Sequence, residues 1–202
     1  MGDLDRLPAV RRDGSEPFRA GGADIGAILL DFWQWSVSDL VSNATRGRLA
    51  EYIVAKGIGV STAGVRDEWA ACDLCTSAGV QVEVKSAAYL QSWHQKDYST
   101  IQFSVRKARE WSSETNVVGT EPVRTAHVYV FALLFHKSKA TLDPLNLDQW
   151  QFFVLPTRTL DERERSQSSI TLASLEGLVQ AIPFAGLRHA VEAASLVARG
   201  AT

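Results

Sequence analysis

A chain of 202 residues, 46% of them apolar, is long enough to bury one full hydrophobic core. Its 21 Lys and Arg against 23 Asp and Glu leave a net formal charge of −2, so global charge gives no support for phosphate binding and leaves only a local basic face for it. Two cysteines, Cys72 and Cys75, exclude a disulfide framework and point to a reducing, cytoplasmic setting. Residues 1–23 lack an apolar signal core, and no run approaches roughly 18 apolar residues, so neither a secretory leader nor a membrane partner is expected.

Residues 1–22 carry Pro8, Gly14, Pro17 and Gly21-Gly22 and read as a loose lead-in; residues 23–202 read as a single domain. Asp24 has N-cap chemistry, and Ile25, Ile28, Leu29, Phe32, Val37 and Leu40 predict a helix over 24–41. Ser42 or Asn43 starts a second predicted helix running to Lys56, with Gly57 as its stop. Residues 65–75, with Trp69, predict one strand or two short ones. Thr76-Ser77-Ala78-Gly79 has turn chemistry. From Val80 to Lys85 the pattern alternates with period two, placing the valines on one face and Gln81, Glu83 and Lys85 on the other.

Ser99 to Val105 predicts a short extended segment leading into a basic helix start at Arg106-Lys107-Ala108-Arg109, then a loop around Gly119 and Pro122. The run His127 to Phe135 is almost continuously apolar, as in a strand covered on both faces. Residues 142–147 predict a turn, Trp150 to Leu155 a core strand stopped by Pro156, and 161–169 a polar loop or short helix. Helices are predicted over Thr171–Ala181 and Phe184–Arg199, the last ending at Gly200. This order implies an α/β fold with a mixed central β-sheet flanked by helices.

Chemistry concentrates at Asp73 and Glu83-Val84-Lys85. Glu83 and Lys85, at i and i+2 of a strand, project from one face roughly 7 Å apart. Asp73, across the turn, reaches the same face. Hard cations such as Mg²⁺ take carboxylate, carbonyl and water oxygens, often with one or two protein carboxylates. Asp73, Glu83 and the Val84 carbonyl supply such a set, and Lys85 is suited to orient a water or hold a phosphate. An E-x-K strand alone is common on solvated sheet faces, so the surrounding order of elements decides its weight.

That order resembles the PD-(D/E)XK nuclease superfamily, the restriction-endonuclease-like fold, over about residues 40–160. In that family a helix bearing a Glu precedes a hairpin with Asp and E-x-K, and a helix and further strands follow. The helix segment here is Arg46-Gly47-Arg48-Leu49-Ala50-Glu51-Tyr52, and Cys72 stands where the signature has Pro. The resemblance implies Mg²⁺-dependent DNA cleavage, with Mn²⁺ able to substitute. Asp73 and Glu83 would bind metal, Lys85 would be catalytic, and Glu51 would be an auxiliary metal or water ligand. Gln91 best matches the polar residue that often lines the site after the E-x-K strand, ahead of Ser86 and Trp93.

Other chemistries have less support. Cys72 and Cys75 form a C-x-x-C, but a zinc site needs two more ligands, and His94, His127, His136 and His189 lack ligand spacing. No P-loop, dinucleotide fingerprint or nucleophile elbow is present. Any ATP-driven function or target recognition would therefore fall to a partner protein, and double-strand cleavage would suit a homodimer. Arg46, Arg48, Arg106, Lys107 and Arg109 are the leading phosphate contacts, with Lys96, Lys137, Lys139 and Arg158 behind them. The alternative to a nuclease is a catalytically silent nucleic-acid-binding or assembly subunit retaining the fold.

Overall fold

The computed structural model of the protein describes residues 4–164 and 166–198. Residues 1–3 of the expected lead-in, and the helix end expected at Arg199 and Gly200, lie outside the described residues.

The N-terminal region departs from expectation. Strands β1 (Pro17–Ala20) and β2 (Ala23–Ile28) pair as an antiparallel hairpin, and helix α1 is confined to Leu29–Val37. Gly21 and Gly22 both have positive φ (57° and 86°), which makes the tight turn. Asp24 is therefore a strand residue opposite Arg19, its carboxylate 3.0 Å from the Arg19 guanidinium, and not a helix cap. The capping carboxylate is Asp31, whose Oδ2 accepts from the Ile28 N–H at 2.8 Å.

Helix α2 spans Asn43–Ile58. It runs through Gly57, and its stop is Gly59, whose φ of 75° is the left-handed C-terminal conformation. Gly57 serves a different purpose, as a close approach to Leu187 and Phe184. The 65–75 stretch holds only β3 (Leu74–Cys75), which pairs antiparallel with β4 (Gln81–Ala88) across the expected turn.

Beyond β4 the expected basic helix is absent. After β5 (Gln102–Ser104), β6 (Ala108–Ser112) pairs antiparallel with β7 (Val117–Val123), and this second hairpin takes up both the predicted helix start and the loop at Gly119 and Pro122. Trp111, Val117, Val118, Thr120 and Val123 are β-forming residues, and Asn116 turns the chain with φ 56°. Strand β8 (Val128–Leu134) is buried at every position. Strand β9 (Trp150–Pro156) follows, then helix α3 (Thr157–Asp161), strand β10 (Ser169–Thr171), helix α4 (Leu172–Glu176) and helix α5 (Leu187–Ala198). Helix α4 is thus far shorter than the helix expected over 171–181.

The fold is α/β. Its main sheet is mixed, in the order β3-β4-β8-β9, with β4 and β8 parallel and the other pairs antiparallel. One face packs Val82, Val84, Val130 and Phe152 against Ile53 and Val54 of α2 and Leu187 and Val191 of α5. The other packs Phe131, Leu133 and Phe153 against Phe103, Leu160, Ile170 and Leu175. Two apolar covers explain why β8 lacks alternation. On β4, Val82 and Val84 join the first core and Ala87 the second, so Glu83 and Lys85 share the second face, near the sheet edge.

Candidate active site

The acidic cluster forms where β3 stops short. Leu74 pairs with Val82 and Cys75 with Gln81, a register that brings Asp73 opposite Glu83. With β3 ended, the Asp73 side chain takes over the edge of β4: its Oδ2 accepts from the Val84 N–H at 2.8 Å. A strand residue's N–H and C=O point to the same edge, so the Val84 carbonyl is directed to the Asp73 side as well. Lys85 donates from Nζ to Glu83 Oε1, as expected for i and i+2 on one face.

Glu51 reaches this edge from α2 through Arg66. The Arg66 guanidinium grips Glu51 with two hydrogen bonds, Nη2 lying 3.0 Å from Oε1, and stands 3.7 Å from Asp73 Oδ1. Glu51, Asp73 and Arg66 line one cleft of about 410 Å³ between α2 and β3, together with Arg48, Cys72 and Cys75. Burial pushes the Asp73 carboxyl up to about 6, and the charge of Glu83 adds to this, with a smaller contribution from Glu51; the Val84 N–H and Lys85 oppose it. Asp73 therefore sits among acids in a half-desolvated place, where a cation would relieve the strain.

Two contributors escaped the sequence. Arg66 lies in an irregular segment, and nothing in its spacing announces a contact with a carboxylate 15 residues earlier. Tyr129 stands opposite Glu83 in the parallel register of β4 and β8. Burial, then the Glu83 charge, push its phenol up to about 12, so it stays protonated beside the acids. Its signal was hidden because Tyr129 lies within a run that reads as core.

The remaining candidates are dispersed. Gln91 is buried and does not line the acidic cleft. Its Nε2 donates to the Ala88 carbonyl and Ser99 Oγ, both at 3.1 Å, and its Oε1 accepts from Arg46. Ser86 accepts from Arg46 Nε at 3.2 Å. Trp93 is exposed, and Tyr89 packs edge-on against Tyr98 with the Lys137 ammonium 4.3 Å from its ring centre. Arg46 is only 4% exposed and is no member of a solvated basic face; it ties Val41, Asn43, Ser86 and Gln91 together. Arg48 is exposed at the acidic cleft, 3.6 Å from Glu68. Arg106 and Arg109 are exposed around the start of β6, and Lys107 lies 3.6 Å from Asp161. These five residues do not form one stripe along a helix.

Cys72 and Cys75 are free thiols flanking Asp73. Burial pushes the Cys72 thiol up to about 11, so it holds its proton at neutral pH. Nδ1 of His127 accepts from the Gln81 N–H at 3.0 Å, and His136 pairs with Thr141. Among the described residues, no group of three or more His, Cys, Asp and Glu side chains converges as a ready-made metal cage. Protein-family models give no match to the chain, and a search of curated proteins gives none either.

Proposed function

We propose that the chain is a Mg²⁺-dependent nuclease of the restriction-endonuclease-like type, hydrolysing phosphodiester bonds in DNA. The observation that carries this reading is the bond from Asp73 to the Val84 N–H, which holds Asp73 opposite Glu83 while Lys85 rests on Glu83. The order of α2, the β3–β4 hairpin and the parallel strand β8 also supports it. One departure stands against it: the connection from β4 to β8 carries β5 and the β6–β7 hairpin where the family has a helix.

The donor set fits a hard dication. Asp73 and Glu83 each keep an oxygen outside the hydrogen bonds to Val84 and Lys85, and the Val84 carbonyl adds a neutral donor. Two carboxylates and a carbonyl suit Mg²⁺, which keeps several waters. A bound Mg²⁺ would acidify a water and offset charge on the phosphate. Asp73 and Glu83 would hold it at the open edge of β4. Lys85, with three N–H donors on a flexible stem, would orient the attacking water or hold the scissile phosphate. Glu51 would accept a hydrogen bond from a water once Arg66 turns toward the phosphate.

The test is DNA cleavage with and without Mg²⁺. Glu83→Ala and Lys85→Ala are each expected to lower the rate by about 10²-fold or more with the circular dichroism spectrum unchanged. Retained cleavage in both variants would overturn the assignment.

A second reading, a silent nucleic-acid-binding or assembly subunit, is favoured by one observation: Arg66 already occupies Glu51 and stands 3.7 Å from Asp73. DNA binding without cleavage in either Mg²⁺ or Mn²⁺ would select it.

A further inference from the structure

A second cleft, of about 370 Å³, lies along β4, where Val84 to Ala88 line it. Asn43, Arg46 and Gly47 from the first turns of α2 form one wall, Lys85 a second, and Gln91 and Thr100 a third. Its unusual member is Arg46. The guanidinium is buried, yet all four of its hydrogen bonds go to neutral acceptors: the Val41 carbonyl at 2.7 Å, Asn43 Oδ1 at 2.7 Å, Ser86 Oγ at 3.2 Å and Gln91 Oε1 at 3.3 Å. Four of its five N–H groups are thus accounted for. No ion pair among the described residues includes it. Asp39, the acid acting on it through space, makes no ion pair with it and accepts through Oδ1 from the Val41 and Ser42 N–H groups, both at 3.1 Å.

A buried cation whose hydrogen bonds all go to neutral acceptors is costly, and burial pulls the Arg46 pKa down against the opposing charge of Asp39. Lys85, paired with Glu83 of the acidic site, also lines this cleft, and the first turns of α2, a helix of 16 residues, flank it. We propose that this cleft is a phosphate-binding subsite, which takes the phosphate adjacent to the scissile one on the bound strand. The inference rests on the nuclease reading for its position and names the group that completes Arg46. A terminal phosphate monoester and an internal phosphodiester present the same oxygens, and the experiment separates them.

Metal-free protein in EDTA is titrated with a short single-stranded DNA carrying a 5′-phosphate, a 3′-phosphate or hydroxyl ends, read by fluorescence anisotropy. The variants are Arg46→Met, Thr100→Glu at the exposed rim, and Gln180→Glu outside the cleft as the charge control. If the subsite takes a strand end, one terminal phosphate tightens binding about tenfold and Thr100→Glu and Arg46→Met remove that gain. If it takes an internal phosphate, all three DNAs bind alike and both variants weaken them about tenfold, while Gln180→Glu leaves binding unchanged. Should Arg46→Met not fold, Thr100→Glu against Gln180→Glu carries the comparison. Binding to Thr100→Glu equal to that of wild type, or no binding to wild type, overturns the subsite. Cleavage is scored separately: a protein that binds in this pattern without cutting loses the catalytic reading and keeps the subsite.

Discussion

Asp73 concentrates the site's physics in one side chain. Its carboxyl, pushed up to about 6 by burial and by Glu83, holds a proton more tightly in the folded protein than in the unfolded chain, where the ordinary value is near 3.8. Between about pH 4 and 6 the native state binds more protons, so stability falls as pH rises through this window. Asp73→Asn, which keeps an acceptor for the Val84 N–H, is expected to stabilise the metal-free protein at pH 7 by up to about 3 kcal/mol, with the gain vanishing below pH 4. Urea unfolding of both proteins at pH 3.8 and 7 measures this, and an Asn variant no more stable at pH 7 would refute it. Glu83 and Lys85 were legible as a strand-face pair, because period-two geometry is local. Arg66 and Tyr129 were not, because their contacts depend on a sheet edge and on a parallel register that no local pattern encodes.

At the scale of elements, small local details decided the outcome. Positive φ at Gly21 and Gly22 turned a predicted helix into a hairpin, and β-branched residues around Asn116 turned a basic helix start into another. Helix α2 shows what its glycines do. A Cβ at Gly57 would lie 2.6 Å from Leu187 Cδ1 and 3.2 Å from Phe184. Gly57→Ala is therefore expected to destabilise by about 1–3 kcal/mol through overpacking against α5, despite the better helix propensity of Ala. At Gly47 a Cβ meets nothing within 4 Å, so Gly47→Ala is expected to stabilise by roughly 0.5–1 kcal/mol. Paired urea midpoints check both, and equal shifts of one sign would contradict the packing of α2 on α5. Gly57 looked like a stop because Gly after Lys56 satisfies the capping pattern; only the neighbouring helix shows that it is a contact.

Across the whole molecule, stability is uneven. The main sheet is buried on two faces, whereas α1 buries no residue and leaves Phe32 and Trp35 exposed. Amides of β4, β8 and β9 are expected to exchange with solvent at rates set by global unfolding, and those of β1, β2 and α1 at least 10²-fold faster; uniform protection would show that the N-terminal region folds with the core. The amino-acid sequence by itself determined the α/β class, the two-sided burial of β8 and the facing of Glu83 and Lys85. These rest on composition and on short-range periodicity. Only the tertiary structure decided where β3 ends, which carboxylates share a cleft and that Arg46 is buried among neutral hydrogen-bond acceptors. Those outcomes depend on chain segments 15 to 45 residues apart meeting at one sheet edge, where packing and desolvation, rather than local propensity, set the balance.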